Sequence, residues 1–379
     1  MTQLPQLSRS DRERYHRHLV LGEFGEVGQQ TLKAASVLIV GAGGLGTPAA
    51  LYLAAAGVGT LGIVDFDTVD VSNLQRQVLY SQADVGVPKV AAAATRLRAQ
   101  NPLISVVAHE CKVTAVNVME LIRPYDLIID GSDSLSTRYQ VNDACVLQQK
   151  MLVSAAIYRF EGQTFSYVPG RGPCYRCLFA HAAEGVTPNC AEAGVLGVLP
   201  GILGTIQATE AIKLLTGIGE PLIGRLLMFD ALSMRFDEFK VSRRKDCAVC
   251  GERPSITKPI ESAALNCTTE QRARIRQLAA AALPAQLTSL RLIDVREAHE
   301  YAVQHLPGSE NLPLSTMTAH LAALASHPGP LLFLCRSGGR SQKACEQAVL
   351  AGLADVTNLE GGLLAWARDV DSAFNVAAP

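Results

Sequence analysis

Two α/β domains are expected, an open doubly wound sheet followed by a smaller α/β unit. Three observations predict them. Short β-branched apolar runs alternate with helix-length segments, a glycine-rich turn separates the first run from its helix, and the pattern lapses and restarts. The lapse places a first domain over residues 1–255, a linker over 256–269 and a second domain over 270–379.

Ala35-Ser36-Val37-Leu38-Ile39-Val40 reads as a buried strand, and Gly41-Ala42-Gly43-Gly44-Leu45-Gly46 follows it at once. Residues 47–56 then read as a helix with Pro48 in its first turn, where proline costs nothing. Leu61-Gly62-Ile63-Val64-Asp65 is a second strand ending in an acid, and Leu127-Ile128-Ile129-Asp130 and Met151-Leu152-Val153-Ser154 are further parallel strands. Helical pattern dominates 203–215. Residues 253–266 carry two prolines with serine and threonine and read as connection. Strands at 290–295 and 331–334 and a helix at 340–351 build the second domain.

Composition narrows the function. A chain of 379 residues with 48% hydrophobic and 18% charged side chains can bury two cores. A net charge of −1 gives no electrostatic case for nucleic acid, and no basic run marks a membrane surface. The first ten residues are largely polar, and the most apolar stretches are broken by Gly, Pro and polar residues. Ten cysteines, four of them in Cys-x-x-Cys pairs, point to metal and thiol chemistry in the reducing cytoplasm.

The strand, glycine turn and helix form a Rossmann-like βαβ unit. Gly41, Gly43, Gly44 and Gly46 let backbone approach phosphate at a helix N-terminus. Asp65 falls about twenty residues on, where a carboxylate meets ribose hydroxyls. These residues alone also fit an NAD-dependent dehydrogenase. The stretch Ser72-Asn73-Leu74-Gln75-Arg76-Gln77 and then Lys89 adds two cations, which suit an ATP-cleaving enzyme, because charge builds on the α-phosphate and the leaving pyrophosphate. Asp133 is a candidate Mg²⁺ ligand.

Arg14-Tyr15-His16-Arg17-His18, the glycine turn, Val64-Asp65-Phe66-Asp67, SNLQRQ, Pro88-Lys89 and Asp130-Gly131-Ser132-Asp133 resemble the MoeB/ThiF adenylyltransferases, relatives of ubiquitin-activating enzymes. The resemblance runs over about 8–255 and implies adenylation of the C-terminal glycine of a ubiquitin-like protein ending in Gly-Gly. It implies ATP contacts at Gly44, Asp65, Asn73, Arg76 and Lys89, magnesium at Asp133, and a homodimer whose Arg17 reaches into the partner's site. Two positions depart from the family: His18 stands where glutamine is common, and Ser134 where asparagine usually follows the aspartate.

Cys174/Cys177 and Cys247/Cys250 are two doublets about seventy residues apart, the pattern of a closed tetrahedral Zn²⁺ site with no position left for water. Such a zinc is structural. Cys190, in Thr187-Pro188-Asn189-Cys190-Ala191-Glu192, lies in the region resembling the crossover loop of activating enzymes, which implies a thioester-forming or resolving thiol. Cys111, Cys145, Cys267 and Cys345 carry no motif and read as packing residues.

In the second domain Cys335 follows an apolar strand, and Arg336-Ser337-Gly338-Gly339-Arg340-Ser341 can curl so that N–H groups and a helix dipole face an anionic sulfur. This loop, Asp294-Val295-Arg296-Glu297, His305-Leu306-Pro307-Gly308 and Leu359-Glu360-Gly361-Gly362 resemble a rhodanese sulfurtransferase domain, with Gln304 where glycine is common. The resemblance implies a persulfide on Cys335, with Arg336 and Arg340 setting the loop's charge. The fusion resembles the MoeZ-type molybdopterin-synthase sulfurylases. It implies a sulfur-carrier protein as partner and a persulfide donor, a cysteine desulfurase or thiosulfate. The resemblance favours the molybdopterin-synthase small subunit as that carrier, with the carriers of thiamine, tRNA-thiolation and siderophore pathways as alternatives.

Overall fold

The computed structural model describes residues 4–180, 194–260, 269–287, 289–326 and 329–376. Backbone contacts divide them into two compact units, one up to residue 260 and one from residue 269.

The first unit is built on an eight-stranded sheet in the order β3-β2-β1-β4-β5-β6-β7-β8. β1 (Ser36–Val40), β2 (Thr60–Asp65), β3 (Ser105–Glu110), β4 (Leu127–Asp130) and β5 (Met151–Tyr158) run parallel. β1 and β4 are almost wholly buried, as strands covered by helices on both faces must be. β6 (Glu161–Tyr167), β7 (Arg225–Asp230) and β8 (Arg235–Lys240) extend the sheet by antiparallel pairing.

Strand order reverses between β1 and β4, so their C-terminal ends open the crevice where doubly wound sheets bind ligands. The two turns at that point touch. A Cβ on Gly41, which has φ +91°, would lie 3.0 Å from the Gly131 carbonyl oxygen. Helix Gly46–Ala56 packs its alanine-rich length into the core and ends on Gly57 in the left-handed conformation. The eighteen-residue helix Leu199–Thr216 carries Pro200 in its first turn. Its buried Gln207 donates to the carbonyl of Asp130 at 2.8 Å, tying it to the end of β4. Among the described residues no helix is long and apolar enough to cross a membrane.

The second unit is a five-stranded, all-parallel sheet in the order β11-β10-β12-β13-β9. Its strands are β9 (Arg276–Ala279), β10 (Arg291–Asp294), β11 (Glu310–Asn311), β12 (Leu331–Leu334) and β13 (Val356–Glu360). β12 is fully buried at the centre and delivers Cys335 at its C-terminal end.

Candidate nucleotide crevice, cysteine cluster and thiol loop

The glycine turn is as tight as its composition implies. A Cβ on Gly46 would fall 1.8 Å from the Gly41 carbonyl oxygen, and one on Gly44 would press on Pro200 at 3.0 Å. Only glycine fits at 46, and its absent side chain leaves backbone at the crevice floor. Asp65 accepts from Ala42 N at 2.7 Å and from Asp67 N at 2.9 Å, which fixes the carboxylate beside the turn. Burial pushes the Asp65 carboxyl up from its ordinary range, and the Lys89 charge and these two N–H donors oppose that.

The SNLQRQ stretch begins in the single turn Val71–Asn73, which presents Ser72 and Asn73, and continues through the turn residues that follow it. Asp70 caps it by accepting from Ser72 N, and the Asn73 side chain accepts from Asp70 N at 3.2 Å. Arg76 folds back to donate to the Ser72 carbonyl at 3.0 Å. Gln77 is buried, and its Oε1 lacks a hydrogen-bond partner. So does Thr47 Oγ1 in the first turn of helix Gly46–Ala56. The Thr47 hydroxyl can donate to a phosphate oxygen, whereas Gln77 Oε1 accepts and would take a donor such as a nucleotide hydroxyl or amino group. Lys89 opens helix Lys89–Gln100, and its Nζ donates to Asp67 at 2.9 Å. Tyr80 OH, donating to the Ala42 carbonyl at 2.9 Å, ties this region to the glycine turn.

On the β4 side Asp130 is buried and satisfied by Ser132 Oγ at 2.6 Å and Ser154 Oγ at 2.9 Å. The buried Arg138 spans the turn, donating to the carbonyls of Ala155 and Ser132. That leaves Asp133 exposed, free of the packing that holds its neighbours. Ser134 caps helix Leu135–Leu147, accepting from Thr137 N at 3.4 Å. A serine oxygen caps this helix as an asparagine would, so the departure at 134 keeps the cap. Arg17 is exposed on the short helix His16–Leu19, and His18 Nδ1 sits 3.0 Å from Gln29 Oε1.

The four doublet cysteines converge. Their sulfurs all lie within 4.8 Å of one another. Cys174–Cys177 is 3.9 Å, Cys174–Cys247 3.6 Å and Cys177–Cys250 3.4 Å. Four thiolates at the usual Zn–S length of about 2.3 Å stand about 3.8 Å apart on a tetrahedron, so the set fits Zn²⁺. Arg244 N donates to Cys177 Sγ at 3.4 Å, the kind of outer bond that orients a thiolate ligand. The first doublet is anchored to helix Leu135–Leu147. Asn142 accepts from Tyr175 N at 2.7 Å, and the buried Asp143 takes Arg176 in a two-bond pair at 2.7 Å each.

In the second unit Cys335 is fully buried, and its Sγ accepts from Gly338 N at 3.2 Å and Ser341 N at 3.4 Å. Ser341 Oγ lies 3.4 Å from the same sulfur and 3.1 Å from the Gly338 carbonyl. Gly338 has φ +89° and caps helix Gly339–Leu350, whose N-terminus therefore faces the sulfur. The loop is held from behind, since Leu363 N donates to the Cys335 carbonyl at 2.8 Å and Leu364 N to that of Arg336 at 2.9 Å. A Cβ on Gly362 would lie 2.4 Å from the Cys335 carbonyl oxygen. Arg340 is paired with the buried Glu300 by two bonds, and the fully buried Arg296 is paired with Asp294. Two N–H donors and a hydroxyl at one sulfur stabilise an anionic sulfur species.

Residues 15–249 match the ThiF family, and residues 277–369 match the rhodanese-like domain. The chain belongs to the ThiF family. Its C-terminal unit is a rhodanese domain. This ThiF-family chain is 42% identical to the "Adenylyltransferase and sulfurtransferase MOCS3-2" of Zea mays, over 96% of its own length and 80% of the relative's. It is 43% identical to the "Probable adenylyltransferase/sulfurtransferase MoeZ" of Mycobacterium tuberculosis, covering 96% and 95% of the two chains. The "Sulfur carrier protein adenylyltransferase" of Thermus thermophilus is 51% identical over 65% of this chain and 94% of the relative. Among solved structures, E. coli MccB with ATP shares the fold at TM-score 0.57 and 24% identity, covering 64% of this chain and 75% of MccB.

Gly41, Gly43, Gly44, Gly46, Asp65, Gln77 and Lys89 gather around the glycine turn or are tied to it, and Arg336 and Arg340 belong to the same loop as Cys335. Cys190 and Cys267 lie outside the described residues. Cys145 and Cys345 are buried and Cys111 is partly so, as packing residues would be. Sequence reading missed Glu300 and assigned no role to Asp67 or Ser341, although both of the latter stood inside quoted motifs.

Proposed function

We propose that this chain adenylates the C-terminal glycine of a ubiquitin-like sulfur carrier and then delivers sulfur to it from Cys335. The observation that carries the reading is one chain holding both a glycine-cradled crevice at the strand-order switch and a buried thiol that accepts from two backbone N–H groups. Relatives of nearly full length named for both activities support it.

In the first step the carrier's carboxylate oxygen attacks the α-phosphorus of ATP, and the bond to pyrophosphate breaks. Arg76 and Lys89 offset the charge that builds on the phosphates, with Mg²⁺ held at Asp133 and Arg17 supplied by the partner of a homodimer. Asp65 takes the ribose, while Ser72, Asn73, Gln77 and Ser134 line the nucleotide. In the second step the terminal sulfur of a Cys335 persulfide attacks the acyl carbon and AMP leaves, giving an acyl disulfide. A second thiol then attacks the Cys335 sulfur, forming a protein disulfide and releasing the thiocarboxylate; Cys190 is the candidate. A cellular thiol reductant restores the two cysteines.

The persulfide on Cys335 comes from a cysteine desulfurase or from thiosulfate, and the carrier is the molybdopterin-synthase small subunit. Zn²⁺ on Cys174, Cys177, Cys247 and Cys250 is structural, joining the loop after β6 to the end of the unit. The proposed location is the cytoplasm, a reading supported by ten cysteines of which four are gathered as a zinc-binding set, which suits a reducing compartment.

ATP–pyrophosphate exchange with Gly-Gly carriers added one at a time tests the first step. Exchange with the molybdopterin-synthase small subunit is expected. Exchange only with another carrier would reassign the pathway, and no exchange alongside absent ATP binding would overturn the reading of the first unit.

A further inference from the structure

We infer that Asp67 is a positioning residue for the adenylation step, acting through Lys89; this rests on the nucleotide reading given above. Asp67 lies two residues beyond the ribose-side carboxylate Asp65 and belongs to none of the phosphate-contacting positions. Three of its groups are nonetheless committed to the crevice. Its N–H donates to Asp65 Oδ1 at 2.9 Å, its carbonyl accepts from Lys89 N at 2.9 Å, and its carboxylate accepts from Lys89 Nζ at 2.9 Å.

The Lys89 side chain needs that carboxylate. It is only 7% exposed, whereas Asp67 is 50% exposed. Lys89 is also the first residue of helix Lys89–Gln100, where the positive end of the helix dipole opposes an ammonium. A buried cation in that position is costly unless paired. An ammonium has three N–H donors, and the bond to Asp67 uses one, so two stay available for phosphate oxygens. The half-exposed carboxylate is screened by water and therefore orients the charge without cancelling it.

Backbone pairing makes the inference testable, because the loop does not depend on the carboxylate for its path. Thr68 and Pro88 form an antiparallel bridge, Val69 N donates to the Val87 carbonyl at 2.9 Å, and Gly86 N to that of Val69 at 2.8 Å. Asp67→Asn keeps the size of the side chain and both main-chain bonds while removing the charge.

The experiment is a double-mutant cycle in ATP–pyrophosphate exchange with the full chain and its carrier, using Asp67→Asn, Lys89→Ala and both together. Asp67→Asn is expected to lower kcat/KM for ATP by about 10- to 100-fold. In the Lys89→Ala background it should lower it no further, and affinity for adenosine, which lacks phosphates, should hold at the wild-type value. Wild-type kcat/KM in Asp67→Asn, additive losses in the double variant, or a parallel loss of adenosine affinity would each overturn the inference. Failure of exchange in the wild type itself would instead remove the nucleotide reading on which it rests.

Discussion

Glu300 holds Arg340 by two hydrogen bonds, 2.6 and 2.7 Å long, and the carboxylate is the more deeply buried partner at 1% exposure. Arg340 thus helps fix the thiol loop but brings little net charge to its mouth. Glu300 sits in the first turn of helix Ala298–Val303 and also accepts from Glu297 N at 3.0 Å. Removing it by Glu300→Ala strands a largely buried guanidinium and is expected to destabilise the rhodanese unit by about 3 kcal/mol. Urea unfolding followed at Trp366, the chain's one tryptophan, reads this directly.

The same pair gives that unit an acid limit. Burial by itself would raise the Glu300 carboxyl, but the bonds from Arg340 and Glu297 N and the charges of Arg340 and Arg296 outweigh it and hold it below the usual glutamate range. A carboxylate depressed in the folded state stabilises above its unfolded value of about 4.3 and loses that stabilisation as pH falls toward the folded one. Stability of the wild type should therefore fall on acidification below about pH 4.3 more steeply than that of Glu300→Gln, measured by urea titrations across that range.

Much of this architecture was legible in the chain. β1 and β4 are continuous apolar runs because helices cover both their faces, and the glycine turn was explicit because Gly46 packs against the Gly41 carbonyl. β6 to β8 were not legible. β8 reads Arg-Phe-Asp-Glu-Phe-Lys and is exposed at all but one position, so it carries almost no burial signal. β9 buries one residue of four. Glu300 lies 35 positions before Cys335, and only the parallel pairing of β10 with β12 brings their strand ends together. No local pattern announces such a partner. Asp67 stood next to Asp65 in plain view, yet its use of Lys89 depends on the later return of the chain at Pro88.

Gly46→Ala tests the glycine turn. A methyl group 1.8 Å from the Gly41 carbonyl oxygen forces the backbone apart, at an expected cost of about 3 kcal/mol. ATP binding measured calorimetrically should be lost even where the variant remains folded.

Metal analysis tests the proposed zinc at the four-cysteine cluster. The purified chain should carry one Zn²⁺, and Cys177→Ser or Cys247→Ser should reduce that content and lower Tm, while rhodanese turnover persists. A stoichiometric zinc content in those variants would contradict the assignment.

Ser341 has its hydroxyl and its N–H both at the Cys335 sulfur. Ser341→Ala removes one donor and keeps the other, so sulfur transfer from thiosulfate should slow by about tenfold without loss of pyrophosphate exchange. An unchanged rate would mean that the hydroxyl serves only the Gly338 carbonyl.

The most direct measurement is mass spectrometry of the carrier's C-terminus after incubation with this chain, Mg-ATP and a sulfur donor. Replacement of one oxygen by one sulfur is expected only when ATP and donor are both present. It should vanish in Cys335→Ala, while pyrophosphate exchange continues. Equal thiocarboxylate yield from Cys335→Ala would contradict the account.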